Sequence, residues 1–263
     1  MNWQVKPEVS GICLDAEQAL RDDQRERTAP VYGLVVHTSG GGIVDQALRA
    51  GADVTDHVVT YYRHVGAGGG ERYYAHYVGG YTGRLAQIAD EHRRTYHVGL
   101  TAEQRQLYLS GAWADRVDPE IVRLWRARWP HVASPSHLYP GPSVNEVYVG
   151  IELPPVHRGV PAMAPGLIYT REQHDLVADL AFDIARRWGW PVGWQRSGRL
   201  VGHEDVGPLD RSLPPKGARP AGGWDPGGMR WEPWLDWSHI LEAIDRRLTP
   251  AADRSTLSEL PPH

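Results

Sequence analysis

Three short apolar runs, separated by stretches with helical periodicity, constrain the fold of this chain more than any other feature. The first two, at residues 31–36 and 147–153, contain several β-branched residues and predict buried strands, and the third, at residues 199–201, predicts a short strand. Residues 73–78 and 84–88 predict two more strands, joined as a hairpin by a glycine-rich turn. Strands that alternate with helices indicate an α/β fold, and the hairpin indicates a mixed rather than a purely parallel sheet.

Helix signals lie between and after these strands. Thr170 and Gln173 form a capping-box pattern at the start of the clearest apolar stripe in the sequence. Thr55 is expected to cap a helix that ends near Gly66, and an apolar pattern over residues 240–248 predicts a closing helix. We therefore expect one domain with a central mixed β-sheet and helices on its faces.

The chain is expected to divide into a charge-dense leader, this domain, and a proline-containing tail, over residues 1–29, 30–248 and 249–263. Within the domain, residues 100–144 are interpreted as a helical insert, with helices that begin after Thr101 and Asp118. Residues 205–234 are rich in Pro, Gly and Trp and are expected to form a long loop that needs something to hold it.

Composition excludes several classes of protein. The 28 basic and 32 acidic residues give a net charge of −4, which provides no electrostatic footprint for nucleic acid. No apolar run is long enough for a membrane span. Cys13 is the single cysteine, so an internal disulfide and a multi-cysteine zinc cluster are both excluded, and a metal would need His and carboxylate ligands. The N-terminus does not have the pattern of a secretory signal, which predicts synthesis in the cytoplasm.

Two histidines each end a predicted strand, and an aspartate lies in the long loop. His37 follows the first strand, His203 follows the short strand 199–201, and Asp225 begins an Asp-Pro-Gly turn. Two imidazoles and one carboxylate can hold a tetrahedral metal with the fourth position open to water, which is the catalytic form of zinc coordination. Spacing alone leaves the alternative that each histidine is an ordinary hydrogen-bonded residue.

Ordered sequence blocks over most of the chain add to this interpretation. NEVYVGIEL at residues 145–153 fits the pattern N-x-x-S-I-G-I-E-L, and VGHEDVGP at residues 201–208 fits V-G-H-x-D-I-x-P. Four further blocks match. An apolar strand that ends in His lies at residues 34–38, and a hairpin block lies at residues 74–78 with 83–87. A W-H-A-G block is matched at residues 96–99 and a closing D-P-G at residues 225–227. Together these blocks resemble the type 2 N-acetylmuramoyl-L-alanine amidases, a zinc family that also contains phage amidases and peptidoglycan-recognition proteins.

The resemblance implies a function and a set of site residues. His37, His203 and Asp225 correspond to ligands of Zn²⁺, and Glu152 to the carboxylate that acts as acid and base; His97 corresponds to a pocket histidine. The implied reaction is hydrolysis of the amide between N-acetylmuramic acid and L-alanine in peptidoglycan or muropeptides. The alternatives are a recognition module that binds muropeptide without cutting it, and a zinc amidohydrolase acting on another acylated peptide.

Two departures from the family pattern leave details open. Relatives commonly carry Lys two positions before the last ligand, where this chain has Gly223, so His97, Lys216 or Arg219 must stabilise the oxyanion, or the metal acts alone. His97 is our expected donor. The insert is the second departure, and its aromatic residues can line a glycan groove, form a dimer contact or build a satellite core; they are Trp113, Trp125, Trp129 and Tyr139.

The biological setting stays open at the level of sequence. The same site suits recycling of muropeptides in the cytoplasm, lysis of a host wall by a phage, or an antibacterial effector that is exported or released without a Sec signal. The expected partner in each case is peptidoglycan or a muropeptide, and the sequence does not determine the oligomeric state.

Overall fold

The computed structural model describes residues 26–39, 41–49, 54–67, 75–141, 143–157, 159–211, 225 and 235–249. Its strands are β1 Gly33–Thr38, β2 Tyr77–Gly79, β3 Leu85–Gln87, β4 Tyr148–Leu153 and β5 Leu200–Gly202. Its helices are α1 Gly41–Arg49, α2 Val54–Ala67, α3 Ala102–Ser110, α4 Pro119–Arg128, α5 Val144–Val147, α6 Arg171–Arg187, α7 His203–Val206, α8 Pro208–Arg211 and α9 Trp237–Leu248.

The strands form one mixed sheet in the order β3-β2-β4-β1-β5. Strand β1 lies between β4 and β5 and is parallel to both, and β2 is parallel to β4. Among the strands that the structure describes, β3 alone is antiparallel, and it pairs with β2 as the predicted hairpin. The prediction of a mixed α/β sheet flanked by helices is therefore confirmed.

The two faces of the sheet are covered by different parts of the chain. Leu34 and Val36 lie on the face that packs against α6 and α9. Val35 and Val201 lie on the opposite face, in a second apolar cluster that contains the aromatic residues of the insert. Because side chains alternate along a strand, His37 falls on the same face as Val35 and so on the insert side.

The helix N-termini follow their sequence signals in three cases and differ in one. Thr101 and Thr170 both form complete capping boxes with the Gln three residues later, and Asp118 is the N-cap residue of α4. Thr55 lies inside α2, which begins one residue earlier, so the prediction that it caps this helix is wrong.

The long loop expected over residues 205–234 is partly helical. The one-turn helices α7 and α8 occupy its beginning, because buried contacts hold a segment whose composition gave no helical period. For example, the amide of Leu209 donates to the Tyr108 hydroxyl of α3 at 3.1 Å. Of the remaining loop, the structure describes Asp225 alone up to residue 234.

The expected leader and tail lie mostly outside the described residues. Arg27 belongs to the predicted leader, yet its guanidinium donates to three backbone carbonyls, those of Glu91, Asn145 and Tyr148. Burial lowers its pKa to about 10. No helix among the described residues has the length and apolar character needed to cross a membrane.

Candidate metal centre

Three neighbouring parallel strands bring the predicted site residues to one edge of the sheet. His37 is the fifth residue of β1, and it lies opposite Glu152 of β4 in the strand register. His203 follows β5 directly and begins α7. The carboxyl ends of parallel strands meet at the same edge, where α/β proteins bind their ligands. Asp225 approaches this edge from the long loop.

The two histidines and the aspartate converge on one point. The Asp225 Oδ2 atom lies 2.9 Å from His203 Nδ1 and 3.5 Å from His37 Nδ1. One ligand atom from each of the three residues lies within 4.8 Å of the others. All three side chains are buried, with 2%, 3% and 6% of their surfaces exposed for His37, His203 and Asp225. Such a set of two nitrogens and one oxygen can hold a metal ion.

Backbone contacts fix Asp225 in this position. Its Oδ1 atom accepts a hydrogen bond from the amide of Thr38 at 2.5 Å, and its carbonyl accepts one from the amide of Glu204 at 2.9 Å. Burial raises the pKa of its carboxyl, but the adjacent imidazoles outweigh burial, and the net pKa is lowered. Asp225 is therefore an anion held between the ends of β1 and β5.

His97 lies against the ring of His37. Its Nδ1 atom is 2.9 Å from His37 Nε2, and its Nε2 atom is 3.3 Å from the Tyr148 carbonyl oxygen. Burial, followed by the neighbouring His37, lowers the pKa of His97 well below its ordinary value, so its ring is neutral at pH 7.

These contacts fix the tautomers of both rings. A carbonyl oxygen only accepts, so His97 donates its Nε2–H to Tyr148 and its Nδ1 accepts from His37 Nε2–H. With Nε2 used in this way, Nδ1 is the nitrogen of His37 that is left to bind a metal, and it faces Asp225. In this arrangement His97 has no further N–H for an oxyanion, which is the role that the sequence led us to expect for it.

Glu152 lies in β4, directly beside His37 of β1. Because it pairs with His37 in register, its side chain lies on the same face of the sheet, and only 8% of its surface is exposed. It is thus a buried carboxylate in the strand next to a candidate ligand.

Sequence reasoning missed Glu204, which follows the candidate ligand His203. Its side chain is 1% exposed, and burial, followed by the charges of Asp205 and Asp225, raises its pKa to about 8. At pH 7 it is therefore largely a neutral acid that can donate a hydrogen bond. The variable position of a motif gives no signal of burial, since a glutamate at the start of a helix is ordinarily solvated.

The remaining candidates divide into buried residues and residues outside the described part. Lys216, Arg219 and Gly223 lie outside it. The aromatic residues of the insert are buried together, as in the satellite-core alternative, with 7% exposure at most; they are Trp113, Trp125, Trp129 and Tyr139.

Comparisons with known proteins agree with the sequence blocks. A family described as N-acetylmuramoyl-L-alanine amidase matches residues 27–227. Among solved structures, the chain is similar to a selenomethionine derivative of AmpD, with 16% identity, a TM-score of 0.44, and coverage of 89% of this chain and 99% of that one. It is also similar to the Ph2119 endolysin from Thermus scotoductus MAT2119 bacteriophage Ph2119, with 15% identity, a TM-score of 0.39, and coverage of 84% and 89%. No curated protein matches significantly.

Proposed function

This chain belongs to the N-acetylmuramoyl-L-alanine amidase family, and we propose that it is a zinc-dependent enzyme that hydrolyses the amide between N-acetylmuramic acid and L-alanine. The observation that carries the proposal is the convergence of His37, His203 and Asp225. These three buried residues offer two imidazole nitrogens and one carboxylate oxygen within 4.8 Å of one another, which is a set of ligands that can bind a metal ion.

The donor set fits Zn²⁺ in particular. Zinc binds imidazole nitrogen and carboxylate oxygen, and its catalytic sites use three protein ligands with one position left for water or substrate. His37 and His203 would bind through Nδ1 and Asp225 through Oδ2, the atoms that already face one another. When bound, zinc supplies a Lewis acid that lowers the pKa of water and polarises the amide carbonyl.

The protein residues supply the proton transfers and the positioning. Glu152 would take a proton from the attacking water and deliver it to the departing amine of L-alanine, which leaves only as a neutral group. His97 would hold His37 in the tautomer that leaves Nδ1 unprotonated, through the 2.9 Å contact between their rings.

The proposal is tested by incubating the zinc-loaded protein with soluble anhydro-muropeptides and with intact sacculi in parallel. The account predicts free stem peptides with an L-alanine amine, identified by mass. Glu152→Gln is the matched control, because it should retain zinc and fold while the rate falls by about 10²–10⁴-fold. Binding of muropeptide without any product would favour the recognition module instead, and wild-type activity in Glu152→Gln would remove Glu152 from the mechanism.

The two substrates also separate the biological settings. An enzyme of muropeptide recycling should cleave the soluble substrate and leave sacculi intact, whereas a lysin or an antibacterial effector should release peptide from sacculi. In both settings the substrate is peptidoglycan or a fragment of it.

A further inference from the structure

We propose that the helical insert positions the metal ligand His203 by holding Asp205, an inference that rests on the proposed metal centre. Three side chains at the end of α4 contact Asp205. Trp125 donates through Nε1 to the Asp205 carbonyl at 2.9 Å, Trp129 donates through Nε1 to Asp205 Oδ1 at 3.0 Å, and Arg128 Nη2 lies 3.1 Å from Asp205 Oδ2.

The spacing of these three residues explains why one helix end can make all three contacts. Residues three and four apart on a helix lie on the same face, so Arg128 and Trp129 both lie one turn beyond Trp125. Trp129 is the C-cap residue of α4, and its amide donates to the Trp125 carbonyl, which closes this last turn. The helix therefore presents two indole N–H groups and one guanidinium to a single acidic residue.

Asp205 in turn contacts the backbone from which His203 projects. Its Oδ2 atom accepts a hydrogen bond from the Gly202 amide at 2.7 Å, at the junction of β5 and α7. Asp205 is fully buried, and the whole of α7 spans only the four residues from His203 to Val206. A shift of Asp205 would therefore move the backbone on both sides of His203.

The insert, which holds Asp205, packs on the face of the sheet that carries Val35 and Val201. Val35 and Val201 lie in one buried cluster with Trp113 and Trp125 of the insert. By strand alternation His37 shares the Val35 face. The insert thus lies against the face of the sheet that carries a second candidate ligand, directly behind the metal centre.

Buried polar groups around a ligand must keep their partners for the ligand to stay oriented. Removing a group that hydrogen-bonds a metal ligand directly typically lowers metal affinity by about 10–100-fold. Trp129 acts one contact further out, through Asp205 and the Gly202 amide, so we expect Trp129→Phe, which removes the donor to Asp205 Oδ1, to weaken zinc binding by no more than the lower end of that range.

Trp113→Phe is the matched control. Trp113 is 1% exposed, and its ring lies edge-on to that of Trp125 with centroids 5.2 Å apart. Among the described contacts of Asp205, none comes from Trp113. Both variants should lower the melting temperature of the metal-free protein, because both remove buried aromatic surface, but only Trp129→Phe should weaken the metal site.

The experiment measures the zinc dissociation constant by competition with a fluorescent chelator, and the visible spectrum of the cobalt-substituted protein, which reports ligand geometry. Weaker zinc binding and an altered cobalt spectrum in Trp129→Phe alone would support the inference. Equal effects of the two variants, or none, would overturn it. A wild-type chain that binds no zinc would instead overturn the proposed function.

A second pair of variants covers the case in which Trp129→Phe does not fold. Arg128→Gln removes the charged partner of Asp205, and Arg126→Gln removes an exposed arginine from the same helix. We expect weaker zinc binding only in Arg128→Gln, with partial recovery in Arg128→Lys. Identical zinc affinities for the Arg128→Gln and Arg126→Gln proteins would contradict the positioning role.

Discussion

His37 shows how a single residue is prepared for a metal by its neighbours. One ring nitrogen faces Asp225, and the other contacts His97, which is itself held against the Tyr148 carbonyl. The backbone amide next to His37, that of Thr38, binds the Asp225 carboxylate. The same strand end therefore sets both the tautomer of one candidate ligand and the position of another.

The first prediction concerns the three candidate ligands. His37→Ala, His203→Ala and Asp225→Ala should each lose zinc, because two protein ligands hold the ion far more weakly than three. Plasma emission on the purified proteins measures the metal content. The partly exposed His92→Ala is the control and should bind zinc normally. Full occupancy in all three ligand variants would refute the assignment.

The second prediction distinguishes two roles for His97. If it fixes the tautomer of His37, His97→Ala should weaken zinc binding by about 10–100-fold, and turnover should recover partly at high zinc. The control is His97→Asn, whose amide oxygen can accept from His37 Nε2–H and should restore part of the affinity. If His97→Ala loses turnover while its zinc dissociation constant is unchanged, His97 would instead be the donor to the oxyanion.

Much of the candidate site was predictable at the level of single residues, for a physical reason. A histidine that ends an apolar strand and an aspartate in a nearby loop are visible in one dimension, as is a glutamate in a strand of the same sheet. The burial of Glu204 and the contact between His97 and His37 were not, because they depend on how α7 and the segment around residue 97 pack in three dimensions.

At the scale of elements, helices with a strong local sequence signal, such as a capping box with an apolar stripe, were predicted correctly. The capping box of α6 and its apolar stripe agree with each other, and the helix forms as predicted from Thr170 onwards. The helices α7 and α8 have four residues each, which is too short for a period to show. Such segments are helical because of tertiary contacts, so sequence periodicity does not reveal them.

The third prediction compares the two capping boxes. Thr170 not only caps α6 but also donates from its hydroxyl to the Tyr81 carbonyl at 2.7 Å, and it is buried. Thr170→Ala should therefore lower the free energy of unfolding by more than the ~1 kcal/mol typical of a lost cap. Thr101→Ala removes the cap of α3, which is largely exposed, and should lower the free energy of unfolding by no more than that value.

Denaturant titration of both variants measures these losses, and Thr170→Ser is the control. Serine can make both hydrogen bonds, so it should retain most of the stability. Equal losses for the two alanine variants would show that the Tyr81 contact contributes nothing.

At the scale of the whole molecule, the long loop is linked to the sheet through the candidate metal centre. Asp225 contacts the ends of β1 and β5, and its two neighbouring histidines lie in β1 and directly after β5. A metal bound there would join the loop to these two adjacent strands. The α/β alternation of the sequence predicted the sheet, whereas the identity of the face covered by the insert depends on packing that periodicity does not encode.

The fourth prediction follows from this link. Zinc binds the native state and so should stabilise it by about 2.7 kcal/mol when its concentration is 100 times the dissociation constant. A chelator should accordingly lower the melting temperature of the wild-type protein in a calorimetric scan. The Asp225→Ala protein should show no such change. If neither chelator nor added zinc changes the melting temperature of the wild-type protein, a metal does not join the loop to the sheet.

The most direct test of the central claim is hydrolysis of a muropeptide in ¹⁸O-labelled water, followed by mass spectrometry of both products. Hydrolysis of the proposed amide places one labelled oxygen in the lactyl carboxylate of the sugar product and frees the unlabelled amine of L-alanine. The account predicts this pattern for the zinc-loaded protein and its loss in Glu152→Gln. Label in a peptide carboxylate or at the reducing end of a sugar would show that a different bond is cleaved and would contradict the account.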